Sequence, residues 1–292
     1  MALENSFEVM SGIKEYQVGK GRPPQTQEDK DTGRFNADHR KDSTFIPEVR
    51  GKHVDRFALR WENEYVSYGP WIAEPRNDSF FKGPRLLMRQ IPGRNRLIAC
   101  YTEDDYVVDQ SAYIIKPREA DPARTMATLA ILNSRLLFWY YQNESNEFDL
   151  LFPKIKAKEI KGLPIATMSN DVVALLAPSA KEMERMMIEL NSVRSKFTQL
   201  LRSKYTLPKL TRNLENWPAL DLKGFLQELK KAKVSLSLAE EAEWLGYFTE
   251  QQAKAHALQA QIDKTDKEID ALVYALYGLS AGEVALVEGY GL

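Results

Sequence analysis

The sequence predicts an α+β fold: a mixed, mainly β-sheet domain over residues 1–168, followed by an α-helical domain with long antiparallel helices over residues 169–292. Three observations carry this. Short apolar and aromatic runs separated by turn formers fill residues 45–117, as strands require. From Asp121 onward the apolar spacing changes to that of a helix. Beyond "KGLPIA" two long stretches repeat apolar residues at alternating intervals of three and four.

Taken in order, "GKGRPPQTQEDKDTGRFNADHRKD" near the amino terminus is polar and rich in turn formers, and reads as a loop or long insertion. The runs "DRFALRW", "EYVSYG", "RLLMRQI", "RLIACY" and "YVVDQSAYIIKP" then read as strands, with Pro92-Gly93 supplying the turn between two of them. In "DPARTMATLAILNSRLLFWYYQ", Asp121 is placed to cap a helix whose first position is Pro122, and Met126, Leu129, Leu132, Leu136, Leu137 and Tyr140 form its apolar stripe. The aromatic tail Phe138-Trp139-Tyr140-Tyr141 reads as core.

The first long helix carries Leu176, Ala180, Met183, Met187, Leu190, Phe197 and Leu201, with a phase shift to Val193 at Arg194; Pro178 fits only near its start. The second carries Ala255, Leu258, Ile262, Thr265, Ile269, Leu272 and Leu276, and stops at Gly278 as a C′ residue. The segments between them, "NLENWPALDLKGFLQELKKA" and "SLAEEAEWLGYF", read as shorter helices.

Composition bounds the chemistry. Hydrophobic content of 43% and charged content of 28% are ordinary for a globular chain. Cys100 is the single cysteine, so neither an internal disulfide nor a cysteine-rich zinc site can form, and its apolar neighbours suit a buried strand. No apolar run approaches the length of a membrane span and no signal peptide is legible, so a cytoplasmic protein without a membrane partner is expected.

Net charge is only −1, but its distribution is uneven. Residues 76–96 hold six basic residues, Arg76, Lys82, Arg85, Arg89, Arg94 and Arg96, against the one acid Asp78. "PKIKAKEIK" sets Lys154, Lys156, Lys158 and Lys161 against Glu159. Local positive charge of this kind suits a docking face. Arginine makes two-pronged bonds to guanine O6 and N7, and amides such as Gln90 or Asn95 match adenine. Ordinary solvated surface charge is the alternative at this point; with DNA as the partner, the residues at it are Lys20, Arg22, Lys52, Lys82, Arg85, Arg89, Gln90, Arg94, Asn95, Arg96, Lys154, Lys156 and Lys158, the last three on phosphates. Tyr65, Tyr68 and Trp71 are alternatives for stacking on an extruded base, set against an ordinary place in the core.

Catalytic constellations fail one by one. His39, His53 and His256 have no metal-ligand spacing, and neither a GxGxxG nor a GxxxxGK[ST] loop occurs. Carboxylate neighbours such as Asp104-Asp105, or Glu62 with Glu64, lack the lysine that would complete a nuclease centre.

The ordered series "YQVGKGRPPQT", "PEVRGKHVDRFALRW" through "SAYIIKP", "LAILNSRLLFWYY", "LFPKIKAKEIKGLPI" and "IDKTDKEIDALVYALYGLSAGEVALVEG" spans nearly the whole chain. It resembles the carboxy-terminal target-recognition region of adenine-specific DNA methyltransferases of restriction-modification systems, above all the fused type IIG enzymes and the TaqI-like specificity domain. The resemblance implies sequence-specific recognition of double-stranded DNA for a methyltransferase or nuclease domain or subunit of the same system. The family's NPPY-type catalytic motif and glycine-bearing S-adenosylmethionine loop are absent from this sequence. The chain itself is therefore expected to be no enzyme and to hold no cofactor, with S-adenosylmethionine and magnesium belonging to catalytic parts outside it. It would be part of a longer chain or a separate specificity polypeptide, with its long helices as a spacer. An autonomous metal-dependent nuclease and a coiled-coil protein-interaction scaffold are the alternatives.

Overall fold

The computed structural model describes residues 1–144, 154–207 and 209–289. In chain order the elements are β1 (Phe7–Ser11), α1 (Gln27–Asp31), β2 (Asn36–Ala37), β3 (Phe45–Val49), β4 (Tyr65–Ser67), β5 (Arg85–Arg89), β6 (Ala99–Thr102), β7 (Val107–Val108), β8 (Ala112–Pro117), α2 (Pro122–Leu132), α3 (Arg135–Glu144), α4 (Ala157–Gly162), α5 (Asn170–Tyr205), α6 (Arg212–Glu215), α7 (Leu222–Lys231), α8 (Leu238–Tyr277) and α9 (Ala281–Glu288). The α+β class holds. The turn-rich stretch near the amino terminus does contain structure: Thr26 and Asp29 form a reciprocal capping box that starts α1.

The chain divides into two compact units. One comprises residues 1–184 and 266–292, the other residues 185–265. Both long helices contribute to both units.

In the first unit the strands form two four-stranded sheets, ordered β1-β8-β5-β6 and β2-β4-β3-β7. All pairs are antiparallel except β3 with β7. Strand β5 is central, and Leu86, Leu87 and Met88 are all buried, so the run is apolar on both faces. Leu87 pairs with Cys100 and Ile114 across the sheet, and these three pack with Val49, Val66 and Val107 of the second sheet. By strand alternation Leu86 and Met88 face the other way, and α2 packs on β5 and β6.

The expected helix from Asp121 starts as read, its carboxylate accepting the Arg124 N–H at 2.9 Å. It does not run on through Tyr141, because Asn133 and Ser134 interrupt it. The Asn133 carboxamide, fully buried, accepts from Ala99 N–H and donates to Ala99 C=O, each at 3.0 Å. It thus closes the free edge of β6 as a further strand would, and α3 begins anew after it. In the aromatic tail Phe138 and Tyr141 are buried, whereas Trp139 is exposed. Further on, Gly278 adopts the left-handed conformation, φ 69°, that ends α8.

The buried stripe of α5 is Leu176, Ala180, Met183, Met186, Leu190, Phe197 and Leu201, with Met186 taking the place expected of Met187. Pro178 lies within α5 rather than at its start. It is exposed, so water satisfies the carbonyl that its missing N–H leaves unbonded.

Within the second unit Phe197 stacks on Trp217 at 3.9 Å and meets Phe225, Trp244 and Phe248 at 5.7, 5.6 and 6.0 Å. These rings join α5, α7 and α8 into one aromatic core. His256 bonds the Pro218 carbonyl through Nε2 at 2.8 Å, a structural role.

Candidate nucleic-acid interface

The arginines of the β5–β6 hairpin do not share a face. Arg85 is fully buried and donates to the carbonyls of Gly83 at 2.7 Å and Asp104 at 2.6 Å. Burial pushes its pKa down to about 10, so its charge persists at neutral pH. Arg96 is also buried, and its Nη2 donates to Asp266 at 3.0 Å and Asp270 at 2.7 Å in α8. Both cations hold protein to protein, and neither is available to a ligand in this conformation. The expectation that they face DNA fails at these two positions: the period of a strand says which residues alternate, not which buried acceptors await them.

The Arg96 contact belongs to a larger network. Asp266 also takes Arg56 at 2.5 Å, while Asp270 accepts the Arg135 N–H at 2.9 Å and Arg135 pairs with Glu288 at 2.7 Å. Desolvation alone would raise both carboxylates. Asp270 is raised, whereas bonds from Arg56 and Arg96 leave Asp266 below its usual value.

The other end of the hairpin is open. Arg89 is half-buried, its Nε anchored on the Gly51 carbonyl at 2.7 Å, while Gln90 is half-buried and Arg94 and Asn95 are exposed. The Ile155 N–H donates to the Gln90 carbonyl at 2.9 Å, and the Tyr113 hydroxyl to the Ile155 carbonyl at 2.9 Å. Ile155 is buried, Lys154 and Lys156 are exposed on either side of it, and Lys158 is exposed in the first turn of α4. The two basic stretches, some sixty residues apart in sequence, therefore meet at the end of β5.

A glycine shapes the support beneath. A Cβ on Gly51 would lie 2.7 Å from the Ser111 carbonyl oxygen, so only glycine lets this turn approach the loop before β8. The Gly51 N–H donates to Ser111 Oγ at 2.7 Å, and the Gln90 N–H to the Ser111 carbonyl at 2.9 Å. Arg89 and Gln90 are thus fixed through main-chain acceptors.

The remaining expected residues lie elsewhere. Lys52 pairs with Glu64 and lies 3.9 Å from Glu62. Lys82 is exposed on the turn before β5, and Lys20 and Arg22 are exposed on the turn that precedes α1. Tyr65 packs edge-on against Trp61 at 5.3 Å and Tyr68 against Phe81 at 5.5 Å. Tyr68 also bonds the Arg76 backbone in both directions. These two rings are wall rather than platform. Trp71 lines a cavity with Phe35 and Phe45.

Beneath this region lies a buried charge cluster that sequence reading missed. Arg50 reaches Glu15 at 3.1 Å, Glu48 at 2.9 Å and Glu64 at 3.3 Å. Glu48 is fully buried, and its Oε1 has no hydrogen-bond partner. Desolvation, with the Glu15 carboxylate beside it, pushes its pKa up to about 10 despite Arg50. Only the sequence neighbourhood "PEVRGKH" hinted at it.

Among the described residues, His53, Glu62 and Glu64 bring ligand atoms within 4.8 Å of one another. The donor set does not fit a cation. His53 Nδ1 accepts the Arg50 N–H at 3.0 Å, which puts the ring proton on Nε2, the atom that would have to coordinate. Lys52 already supplies the positive charge between the two glutamates.

Residues 46–165 match the family model of the TaqI-like C-terminal specificity domain. Residues 169–273 match a domain of unknown function, DUF8810. No curated protein matches the chain. A solved structure of the type IIL restriction-modification enzyme MmeI in complex with DNA is similar at a TM-score of 0.40 and 12% identity, over 88% of this chain and 36% of that one. The chain thus spans about a third of the length of that enzyme. No helix among the described residues is long and apolar enough to cross a membrane. On that match, residues 46–165 are a TaqI-like recognition region.

Proposed function

We propose that the chain reads DNA sequence for a restriction-modification enzyme, through the surface at the end of β5. The observation that supports this is the Gln90–Ile155 hydrogen bond, which joins the strand end that leads into Arg94 and Asn95 to the segment that carries Lys154, Lys156 and Lys158. An arginine and two amides on one turn are what base edges require, and exposed lysines before and within the first turn of α4 suit phosphates. The TaqI-like match over residues 46–165 supports the same reading. In this proposal the partner is an adenine-N6 methyltransferase of type IIG character whose catalytic domain lies outside this chain. S-adenosylmethionine and magnesium belong to that domain, and the helices beyond residue 169 act as the spacer towards it.

The test is selection of bound duplexes from a randomised pool by the full chain, followed by titration against the selected site and against random DNA. Enrichment of one sequence is expected. Retention of no duplex at low salt would refute the proposal, and cutting of plasmid DNA with magnesium or manganese would turn it towards a nuclease.

A further inference from the structure

A cavity of about 330 Å³ opens in the first unit, walled by Trp71, Phe35, Phe45 and Pro24, with half of its lining residues polar, the Asp29–Arg34 ion pair among them. Most of its lining precedes residue 46 and so lies outside the TaqI-like match.

Its walls are fixed before any ligand arrives. The Trp71 indole N–H donates to the Ser67 carbonyl at 2.8 Å. The Trp71 carbonyl accepts from the Gln25 carboxamide at 2.7 Å, whose second N–H goes to the Glu15 carbonyl at 2.8 Å and whose oxygen accepts the Gln17 N–H at 2.8 Å. A Cβ on Gly69 would lie 2.5 to 2.8 Å from the Trp71 ring carbons, so the residue that lets the indole lie flat there is glycine. Phe35 stacks on Tyr16 at 5.3 Å, and Tyr16 donates to Asn36 at 2.8 Å.

Flat, rigid aromatic walls select a planar ring, which gains stacking whatever hydrogen bonds its edge makes. The volume is at the small end of ligand cavities. The rim carries cations. The Arg34 side chain is 70% exposed and its Nη1 is paired with Asp29 at 2.8 Å, and Lys20 and Arg22 are exposed on the turn that leads into Pro23 and Pro24. The Lys41 ammonium stands 5.3 Å from the centre of the Phe45 ring. A planar ring that arrives with phosphates on both sides fits this combination.

We propose that the cavity receives one base swung out of the bound duplex, its ring against Trp71 and its flanking phosphates on the rim cations. This rests on the DNA-reading role inferred above. It also gives Lys20 and Arg22 a shared task that the surface at the end of β5 does not.

The experiment uses the full chain and the duplex selected from the random pool, with single mismatches placed at each position in turn. A base already unpaired is cheaper to extrude, so one position should bind about tenfold tighter when mismatched, and 2-aminopurine placed there should change its emission on binding. Trp71→Ala, and the exposed, cavity-filling Pro24→Trp, should both abolish the mismatch preference and the emission change while matched DNA is still bound. Pro24→Trp decides the matter if thermal melting shows that Trp71→Ala does not fold. Sequence-specific binding with no mismatch preference, or with one that survives both variants, would overturn the cavity's role and leave DNA reading intact. Binding of a free nucleoside monophosphate as tightly as the mismatched duplex would also overturn it, because the cavity would then serve a soluble ligand. Failure to bind any duplex would overturn both readings.

Discussion

Replacing Arg96 by alanine should damage the fold before it damages recognition. Its guanidinium is the shared donor to Asp266 and Asp270, and side-chain exposure is 11% for Arg96 and 5% for Asp270. Breaking a buried pair from one side costs about 3 to 5 kcal/mol, because the remaining charge stays buried. Asp270 keeps the Arg135 N–H and Asp266 keeps Arg56, which places the loss near the bottom of that range, about 3 kcal/mol. The double variant Arg96→Met, Asp270→Asn leaves no unpaired carboxylate at that position and should recover much of the loss. Hydrogen exchange followed by mass spectrometry is the suitable assay, since peptides from β5–β6 and from residues 266–277 report on the first unit alone. Faster exchange in both peptides is expected for Arg96→Ala, with partial recovery in the double variant. Unchanged exchange in Arg96→Ala, accompanied by a selective loss on the cognate duplex, would refute the reasoning and return Arg96 to the DNA.

Other outcomes follow from the same structure. Lys154→Gln, Lys156→Gln and Lys158→Gln should weaken cognate and random DNA alike, and each phosphate left without its lysine should reduce the slope of log K against log salt by about 0.9; a slope that does not move would remove these lysines from the interface. Arg94→Ala, Asn95→Ala and Gln90→Ala should cost on the order of 1 to 3 kcal/mol on the cognate site and far less on random DNA; equal losses on both would make the turn a phosphate clamp. Glu48, raised from 4.5 to about 10, binds its proton more tightly folded than unfolded, so its contribution to stability is full below about pH 4.5 and declines as pH rises towards 10. Melting temperatures should accordingly fall less steeply between pH 5 and about 9 in Glu48→Gln than in the parent, and parallel profiles would contradict the assignment. Asn133→Ala leaves the Ala99 N–H unbonded inside the protein, at about 1 to 3 kcal/mol, while the Ala99 C=O keeps the Phe57 N–H at 2.8 Å; an unchanged melt would show that another group closes the edge of β6.

What the sequence made legible was local. The Asp121 cap, the Gly278 stop and the long stripes of α5 and α8 depend on neighbours within one or two turns, and all are present. The stripe of α8 drifts near its end, where Val273 and Tyr274 are buried and Leu272 and Leu276 only half-buried. Asp270, the polar member of that buried side, is what the apolar pattern could not announce. The candidate site was legible as composition and not as orientation. Arg85 ends on carbonyls supplied by two turns, and Arg96 on acids 170 and 174 positions away. No periodicity encodes such partners. The break at Asn133 is of the same kind, since an asparagine in a helical stretch reads as tolerable until an open strand edge lies beside it. The Thr26–Asp29 capping box, by contrast, is a local signal that the turn formers around it obscure.

The return of residues 266–289 to the sheet-bearing unit bears on how such proteins can be recombined. A cassette cut at the limits of the specificity match, residues 46–165, would carry Arg56, Arg96 and Arg135 away from Asp266, Asp270 and Glu288. A graft of that cassette into another scaffold would seat three cations opposite whatever that scaffold's last helices present. Under the proposed DNA-reading role, the segment to be exchanged is therefore discontinuous, residues 46–165 together with residues 266–289.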